Sequence, residues 1–311
     1  MADGAITKRP AQKRLPLLAR LRQRWLGSAK PKAAARPAPK AAAAPGAAGA
    51  RQPAPSPLVV RQWLYGPGFI IPGDVNYVLE LVKPFHLGPS MTMLDLAAGL
   101  GGPARAIAQA FDTYVTGFER DPELARKASD ETASRGLSRH VQISAYDPET
   151  YELRAGFYDH ALAREATYHI VQKERFLRVL NQAMKPFGQF ILTDFVRDRA
   201  AGDPPELAAW EAIQPFKPEL WTAAQYADCF KSLGFDLRIG NDITAEYKRL
   251  TLMAWKAFVE EGELRQLRST QAAPVIDEVE RSIKTIAALE TGALKFHYFV
   301  ALGGRKRAAI S

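Results

Sequence analysis

The 311-residue sequence has almost no cysteine and no long apolar run. Cys229 is the single cysteine, which excludes internal disulfides and any multi-cysteine zinc site. No stretch approaches the roughly 20 apolar residues that a membrane-spanning helix needs, and the N-terminus lacks the apolar core of a secretory signal. These absences predict a soluble protein in a reducing, cytoplasmic compartment.

Acidic residues are nearly missing from the first 55 positions, which hold twelve Lys and Arg but only Asp3 as an acid. The whole chain has a formal net charge of +9, so the remainder, with 30 basic and 32 acidic residues, is close to neutral. A folded part without excess positive charge is poorly suited to binding the phosphate backbone of a nucleic acid. We therefore expect no nucleic acid partner.

Residues 1–57 are predicted to form a disordered tail. From Ser28 to Pro57 the chain is almost wholly Ala, Pro, Lys, Arg and Gly, which cannot bury enough apolar surface to become ordered. Within residues 13–26, apolar side chains recur at helical spacing among arginines: Leu17, Leu18, Leu21 and Trp25. This segment can lie on an anionic membrane surface, dock on a partner or remain solvated, and its acid-poor composition also resembles an organelle transit peptide. The sequence leaves these alternatives open.

From Met91 onward, short apolar runs alternate with helical patterns, which is typical of a parallel sheet with helical crossovers. Residues 58–311 are therefore interpreted as one α/β domain with a Rossmann-like, doubly wound, mainly parallel seven-stranded sheet. A helical insert of about residues 244–291 is predicted between strands six and seven. The predicted strands are Met91–Leu96, Tyr114–Glu119, Val141–Ser144, Tyr158–Ala163, Gln189–Asp194, Phe235–Gly240 and Phe296–Leu302.

The segment Met93–Pro103, MLDLAAGLGGP, runs from a predicted strand through a glycine-rich turn into a helix. Glycines let the backbone approach a ligand closely, and the helix N-terminus supplies unpaired N–H groups. The next strand ends at Glu119, about 20 residues further on, where a carboxylate can accept hydrogen bonds from both ribose hydroxyls. Loop and acid together predict a nucleoside ligand.

The order of residues in this loop distinguishes two families. A dehydrogenase loop reads Gly-x-Gly-x-x-Gly, whereas here Asp95 opens a run that continues with Ala97, Gly99 and Gly101. This order resembles motif I of the class I S-adenosylmethionine-dependent methyltransferases, with Ala97 in place of the family's first glycine. The resemblance implies S-adenosylmethionine as cofactor, and methyl transfer from a sulfonium requires no metal.

The resemblance covers roughly residues 64–302. Met184–Gly188, MKPFG, resembles the family's turn before its fifth strand, although Phe187 replaces a glycine. Asp147 follows the third strand, where the family places an acid facing the adenine amino group. The cofactor-binding residues that the resemblance implies are Ile71, Asp95, Ala97, Gly99, Gly101, Glu119, Arg120, Asp147 and Arg164.

Two further segments resemble the phosphoethanolamine and small-amine N-methyltransferases: Leu64–Gly73, LYGPGFIIPG, and Arg164–His169, REATYH. The resemblance implies that Glu165 contacts the acceptor and that His169 is its base or positions it. A carboxylate can hold a cationic amine, and a neutral imidazole can accept a proton from it. The predicted acceptor-binding residues are Tyr65, Phe69, Phe195 and Lys217.

Departures from that family bear on the acceptor. The family's phosphate-binding arginine and tyrosine precede the helix that carries Tyr226, where this chain has Phe216–Leu220, and its tyrosine at the end of strand five is Phe195 here. Lys217 is the remaining cation in that region. Burial of a phosphate without bidentate hydrogen-bond partners costs free energy. A phosphobase is therefore not expected as the acceptor.

We therefore predict a methyltransferase acting on a small molecule, with an amine as the expected acceptor. A lipid, a quinone or another hydroxylated acceptor remains an alternative, as does a non-catalytic module that binds S-adenosylmethionine. Enzymes that methylate nucleic acid bases usually carry Asn or Asp, Pro, Pro and an aromatic residue after strand four. This chain has Arg164-Glu165-Ala166 there, and its Asp203-Pro204-Pro205 follows strand five instead.

Overall fold

The computed structural model of the protein describes residues 54–260 and 272–303. The amphipathic segment and nearly all of the predicted tail lie outside the described residues, so their membrane or partner contacts stay predictions. The first helix begins at Pro57, next to the predicted boundary. Among the helices of the described ranges, none is long and apolar enough to cross a membrane.

Seven strands form one sheet in the order β3-β2-β1-β4-β5-β7-β6. β1 to β5 pair in parallel, whereas β7 is antiparallel to both β5 and β6. The doubly wound, mainly parallel sheet predicted from the sequence is therefore confirmed. The strands are β1 Thr92–Asp95, β2 Tyr114–Glu119, β3 Val141–Ala145, β4 Tyr158–Arg164, β5 Met184–Arg197, β6 Asp236–Asp242 and β7 Leu294–Leu302.

Strand β5 differs most from its prediction, because it begins five residues early and ends three residues late. At its start, Met184 pairs with Tyr158 across an irregularity in β4, so the segment interpreted as a turn continues the strand. At its end, β7 pairs with it as far as Arg197 opposite Leu294. Long-range pairing of this kind extends a strand beyond the apolar run that marks it in the sequence.

The helices of the described residues cover both faces of the sheet. The last two helices, α8 (Thr244–Glu260) and α9 (Ala273–Glu290), form the described part of the predicted insert. Trp255 of α8 donates to the hydroxyl of Ser282 on α9 at 2.9 Å. The bounds are α1 Pro57–Tyr65, α2 Val75–Leu81, α3 Gly102–Phe111, α4 Pro122–Ser134, α5 Lys173–Ala183, α6 Pro205–Glu211, α7 Ala223–Ser232, α8 Thr244–Glu260 and α9 Ala273–Glu290.

Local sequence signals explain where several helices start. Asp121 caps α4 by accepting from the backbone N–H of Glu123 and Leu124, and Thr222 forms a capping box with Gln225 at α7. The chain order reverses direction between β1 and β4. In open α/β sheets this switch point, at the carboxyl ends of the strands, is where ligands bind.

Candidate functional site

A cavity of about 410 Å³ opens at this switch point, within the range usual for small-molecule sites. It is bordered by the ends of β1, β2, β4 and β5 and closed by α1, α6, α8 and α9. Most of the residues predicted from the sequence lie together on its wall. They are Tyr65, Phe69, Ile71, Asp95, Ala97, Gly99, Glu119, Arg120, Arg164, Glu165, His169 and Phe195.

The glycine-rich loop is tied to the end of β2. Gly99, with φ of 54°, donates its backbone N–H to Glu119 Oε2 at 2.8 Å, and Asp121 N donates to Oε1 at 2.9 Å. Burial raises the pKa of Glu119, and these backbone donors oppose the shift. A carboxylate has about four acceptor positions, so Glu119 can accept a further hydrogen bond beside those from the backbone. A ribose hydroxyl group is suited to such an acceptor.

Three buried polar atoms on the cavity wall have no hydrogen-bond partner within the described residues, and two of them, Asp95 Oδ2 and Arg164 Nη1, lie at the ends of β1 and β4. Burial raises the pKa of Asp95 to about 7. The other terminal nitrogen of Arg164 donates to Pro72 O at 2.6 Å, which fixes the guanidinium. An acceptor and a cationic donor left open in this way fit the ammonium and carboxylate of a methionine moiety. The cofactor implied by the resemblance therefore fits these residues.

Three predicted site residues do not line the cavity. Gly101 has φ of 78° and starts α3, and a Cβ there would lie 2.5 Å from Ile143, so it serves the turn itself. Asp147 is exposed and accepts from Glu149 N at 3.0 Å to close a local turn, while Tyr146 lines the cavity beside it. Lys217 has a side chain 87% exposed and pairs with Glu219.

Arg164 and Glu165, adjacent at the end of β4, face different parts of the cavity. The left-handed backbone of Glu165, with φ of 52°, places its side chain near Arg61 and Asp194. Burial raises the pKa of Glu165 to about 8, and the neighbouring Arg164 opposes the shift. A non-glycine residue held at positive φ is strained, and such residues concentrate at functional sites.

His169 is partly buried and is neutral near pH 7. Burial lowers its pKa to about 3, and the positive charges of Arg120 and Lys173 add to the effect. Its Nδ1 atom has no partner within the described ranges. The ring packs against Phe216, with centroids 5.3 Å apart. His169 is therefore a hydrogen-bonding group here, and Glu165, with its higher pKa, is the stronger proton acceptor.

A buried polar network supports the loop that carries Glu165 and His169. Thr167 donates its N–H and hydroxyl to Asp194 Oδ2 at 2.6 and 2.5 Å. Lys173, fully buried, donates to the carbonyls of Ile170 and Glu219 and so joins the loop to the segment before α7. Burial lowers the pKa of Lys173 to about 8, and Asp194 opposes the shift.

We expect Lys173→Met to destabilise the protein by about 2–3 kcal/mol, because two buried carbonyls lose their donor. Thermal unfolding would measure the loss against Lys231→Met, which removes an exposed lysine of α7. Equal melting temperatures for the two variants would show that the network does not stabilise this loop.

Several cavity residues were not predicted because they come from distant helices. Arg61 lies on α1, and Glu278 and Arg281 lie on α9, more than 200 residues away. One signal was present in the sequence: α9 buries polar residues at helical spacing among apolar ones, namely Glu278, Ser282 and Thr285. Aromatic side chains complete this part of the wall: Tyr168, Trp210, Phe216 and Tyr247.

Comparison with known proteins places this site in a family. Residues 74–238 match the family described as a methyltransferase domain. Phosphoethanolamine N-methyltransferase 2 of Caenorhabditis elegans is 30% identical over 133 residues, which cover 42% of this chain and 30% of that protein. Sarcosine/dimethylglycine N-methyltransferase of Halorhodospira halochloris is 28% identical over 174 residues, 53% of this chain and 58% of that protein.

A solved structure has the same fold. Phosphoethanolamine N-methyltransferase 2 of Haemonchus contortus, in complex with phosphomonomethylethanolamine and S-adenosylhomocysteine, superposes with a TM-score of 0.71 at 20% identity. The match covers 80% of this chain and 57% of the Haemonchus contortus chain. This chain therefore spans little more than half the length of that protein. The family match extends over more than half of the chain. The chain therefore belongs to the methyltransferase-domain family, with S-adenosylmethionine as its cofactor.

Proposed function

We propose that this protein transfers a methyl group to the nitrogen of a small amine. Glu165 carries the proposal, because it is a carboxyl group on the cavity wall next to Arg164 and desolvation raises its pKa to about 8. An ionised carboxylate in a cavity of this size attracts an ammonium group, and it can then take up a proton. Curated relatives named as N-methyltransferases of small amines support the assignment.

Bound S-adenosylmethionine supplies an electrophilic methyl group on its sulfonium. An ammonium nitrogen has no lone pair, so the acceptor must lose a proton before it reacts. We assign that proton to Glu165, whose pKa lies much closer to that of an amine than the pKa of His169 does. Neutral His169 then accepts a hydrogen bond from the amine and orients its lone pair.

The aromatic wall suits the product. Trp210, Tyr168 and Phe195 pack together with ring centroids 5.0 to 5.9 Å apart. Aromatic faces attract alkylated ammonium groups, which can no longer donate as many hydrogen bonds. This wall therefore supports methylation of an amine over methylation of a neutral hydroxyl group.

Formation of S-adenosylhomocysteine tests the proposal with two matched panels of acceptors. One panel contains small primary and secondary amines, and the other contains alcohols, phenols and quinols of similar size. We expect turnover with members of the amine panel. Turnover confined to the hydroxylated panel, or cofactor binding with no turnover on either, would contradict the proposal.

We expect His169→Ala to lower kcat/KM by about 10- to 30-fold, the value of one or two neutral hydrogen bonds. The pH at which kcat/KM is half-maximal should stay where it is in the wild type, because burial lowers the pKa of His169 to about 3, far below the pH range of the assay. His140→Ala, at a half-exposed histidine paired with Asp112, is the matched control. A shift of the half-maximal pH in His169→Ala alone would show that His169 is the base.

A further inference from the structure

Three charged side chains form a cluster on the cavity wall, and we call it the arginine cluster: Arg61, Glu278 and Arg281. Arg61 Nε donates to Glu278 Oε2 at 3.0 Å, and Arg281 Nε lies 3.6 Å from the same oxygen. Arg281 Nη1 also donates to Ile213 O at 2.9 Å. All members of the cluster line the same cavity as Glu165.

The arginine cluster carries a surplus of positive charge, since one carboxylate serves two guanidinium groups. Burial and the neighbouring Arg61 lower the pKa of Arg281. Burial also acts to lower the pKa of Arg61, but Glu278 outweighs it there. The positive charge of Arg281 is thus incompletely compensated. An anion bound beside it would offset the free energy that burial of this charge costs.

The arginine cluster also has unused donors. Arg61 Nη1 and Nη2 and Arg281 Nη2 donate no hydrogen bond to any part of the chain that the structure describes. The contacts with Glu278 and Ile213 hold both guanidinium groups in place while leaving these atoms open. Guanidinium groups fixed in this way are suited to planar, bidentate recognition of an anionic group.

We propose that the arginine cluster binds the carboxylate of the acceptor, which makes the substrate an amino acid methylated on its nitrogen. This inference rests on the proposed function, because it names the acceptor of the same site. Glu165 lies near enough to Arg61 for their charges to interact. A zwitterion can therefore place its ammonium group at Glu165 and its carboxylate at the arginine cluster.

The charge balance favours a carboxylate over a phosphate. A carboxylate contributes one negative charge, which matches the surplus of the arginine cluster. A phosphate monoester carries about −1.5 to −2 near neutral pH and would leave negative charge uncompensated in a half-buried place. The same chemistry would bind either anion, so the experiment must include both.

Calorimetry with the full chain saturated with S-adenosylhomocysteine tests this assignment without relying on turnover. The ligands are glycine, β-alanine and 4-aminobutyrate, each paired with the amino alcohol of the same length, and phosphoethanolamine. We expect at least one amino acid to bind at least about tenfold more tightly than its alcohol, as a charge-assisted hydrogen bond predicts. In Arg281→Gln this preference should fall about tenfold, while the amino alcohol binds as before. Arg178→Gln, at an exposed arginine of α5, should leave both unchanged.

Several results would overturn the assignment. They are an unchanged preference in Arg281→Gln, an equal loss for acid and alcohol, tighter binding of phosphoethanolamine than of every amino acid, or no binding of any amino acid. Failure of the proposed function gives a different result, namely an amino acid that binds through Arg281 but is never methylated. If the protein methylates amines equally well with and without a carboxylate group, only the assignment of a carboxylate site to the arginine cluster would be contradicted.

Discussion

Replacement of Glu165 by glutamine should lower kcat by about 10²–10⁴-fold, the usual contribution of a general base. The carboxyl is protonated below about pH 8 in the free protein, so wild-type kcat/KM should fall as the pH drops through that value. In Glu165→Gln this fall of kcat/KM at low pH should disappear, so that the remaining pH dependence is the one set by the pKa of the amine itself. Initial rates between pH 6 and 10 would measure both effects.

Stability separates a catalytic role of Glu165 from a structural one. Its pKa is raised from 4.5 to about 8 on folding, so the folded state holds the proton more tightly, and its ionisation lowers stability as the pH rises between these values. Glu165→Gln should therefore melt no lower than the wild type at pH 8. The control is Glu174→Gln, at an exposed residue of α5. Wild-type turnover and an unchanged pH profile in Glu165→Gln would remove Glu165 from the mechanism.

Replacement of Glu119 by alanine should weaken S-adenosylmethionine binding by about 100-fold, because charge-assisted hydrogen bonds to the ribose are lost. The variant also leaves the N–H groups of Gly99 and Asp121 without their acceptor, so the loop itself becomes less well held. Calorimetry gives the affinity, and thermal unfolding shows how much of the loss comes from the fold.

Glu123→Ala is the control for that experiment, since Glu123 is an exposed acid on the next helix whose partner is Lys127. It should bind the cofactor with wild-type affinity. Unchanged affinity in Glu119→Ala, or tighter binding of a nicotinamide dinucleotide than of S-adenosylmethionine, would contradict the placement of the ribose at Glu119.

Local features of this chain were predictable because they depend on neighbouring residues. The alternation of apolar runs located every strand of the sheet, and the loop that begins at Asp95, together with Glu119, located one wall of the cavity. Asp147 shows the limit of spacing alone, because its side chain turns back onto its own loop while Tyr146 faces the cavity.

Features that depend on tertiary packing were not predictable. Arg61 and Arg281 meet at Glu278 only because the insert folds back against α1. The pKa values of His169 and Glu165 are set by burial, which the sequence does not reveal. The resemblance implies that both residues lie at the acceptor site, with His169 as the base or positioning group. Because burial lowers the pKa of His169 and raises that of Glu165, Glu165 is the better proton acceptor of the two.

Transfer of an isotopically labelled methyl group shows which atom of the acceptor is methylated. The protein is incubated with S-adenosylmethionine carrying ¹³C in its methyl group and with an amine that it binds, and the product is examined by NMR. We expect ¹³C bonded to the amine nitrogen, formed together with S-adenosylhomocysteine, in the wild type but strongly reduced in Glu165→Gln. Label on an oxygen or a carbon of the acceptor, or equal labelling in both proteins, would contradict it.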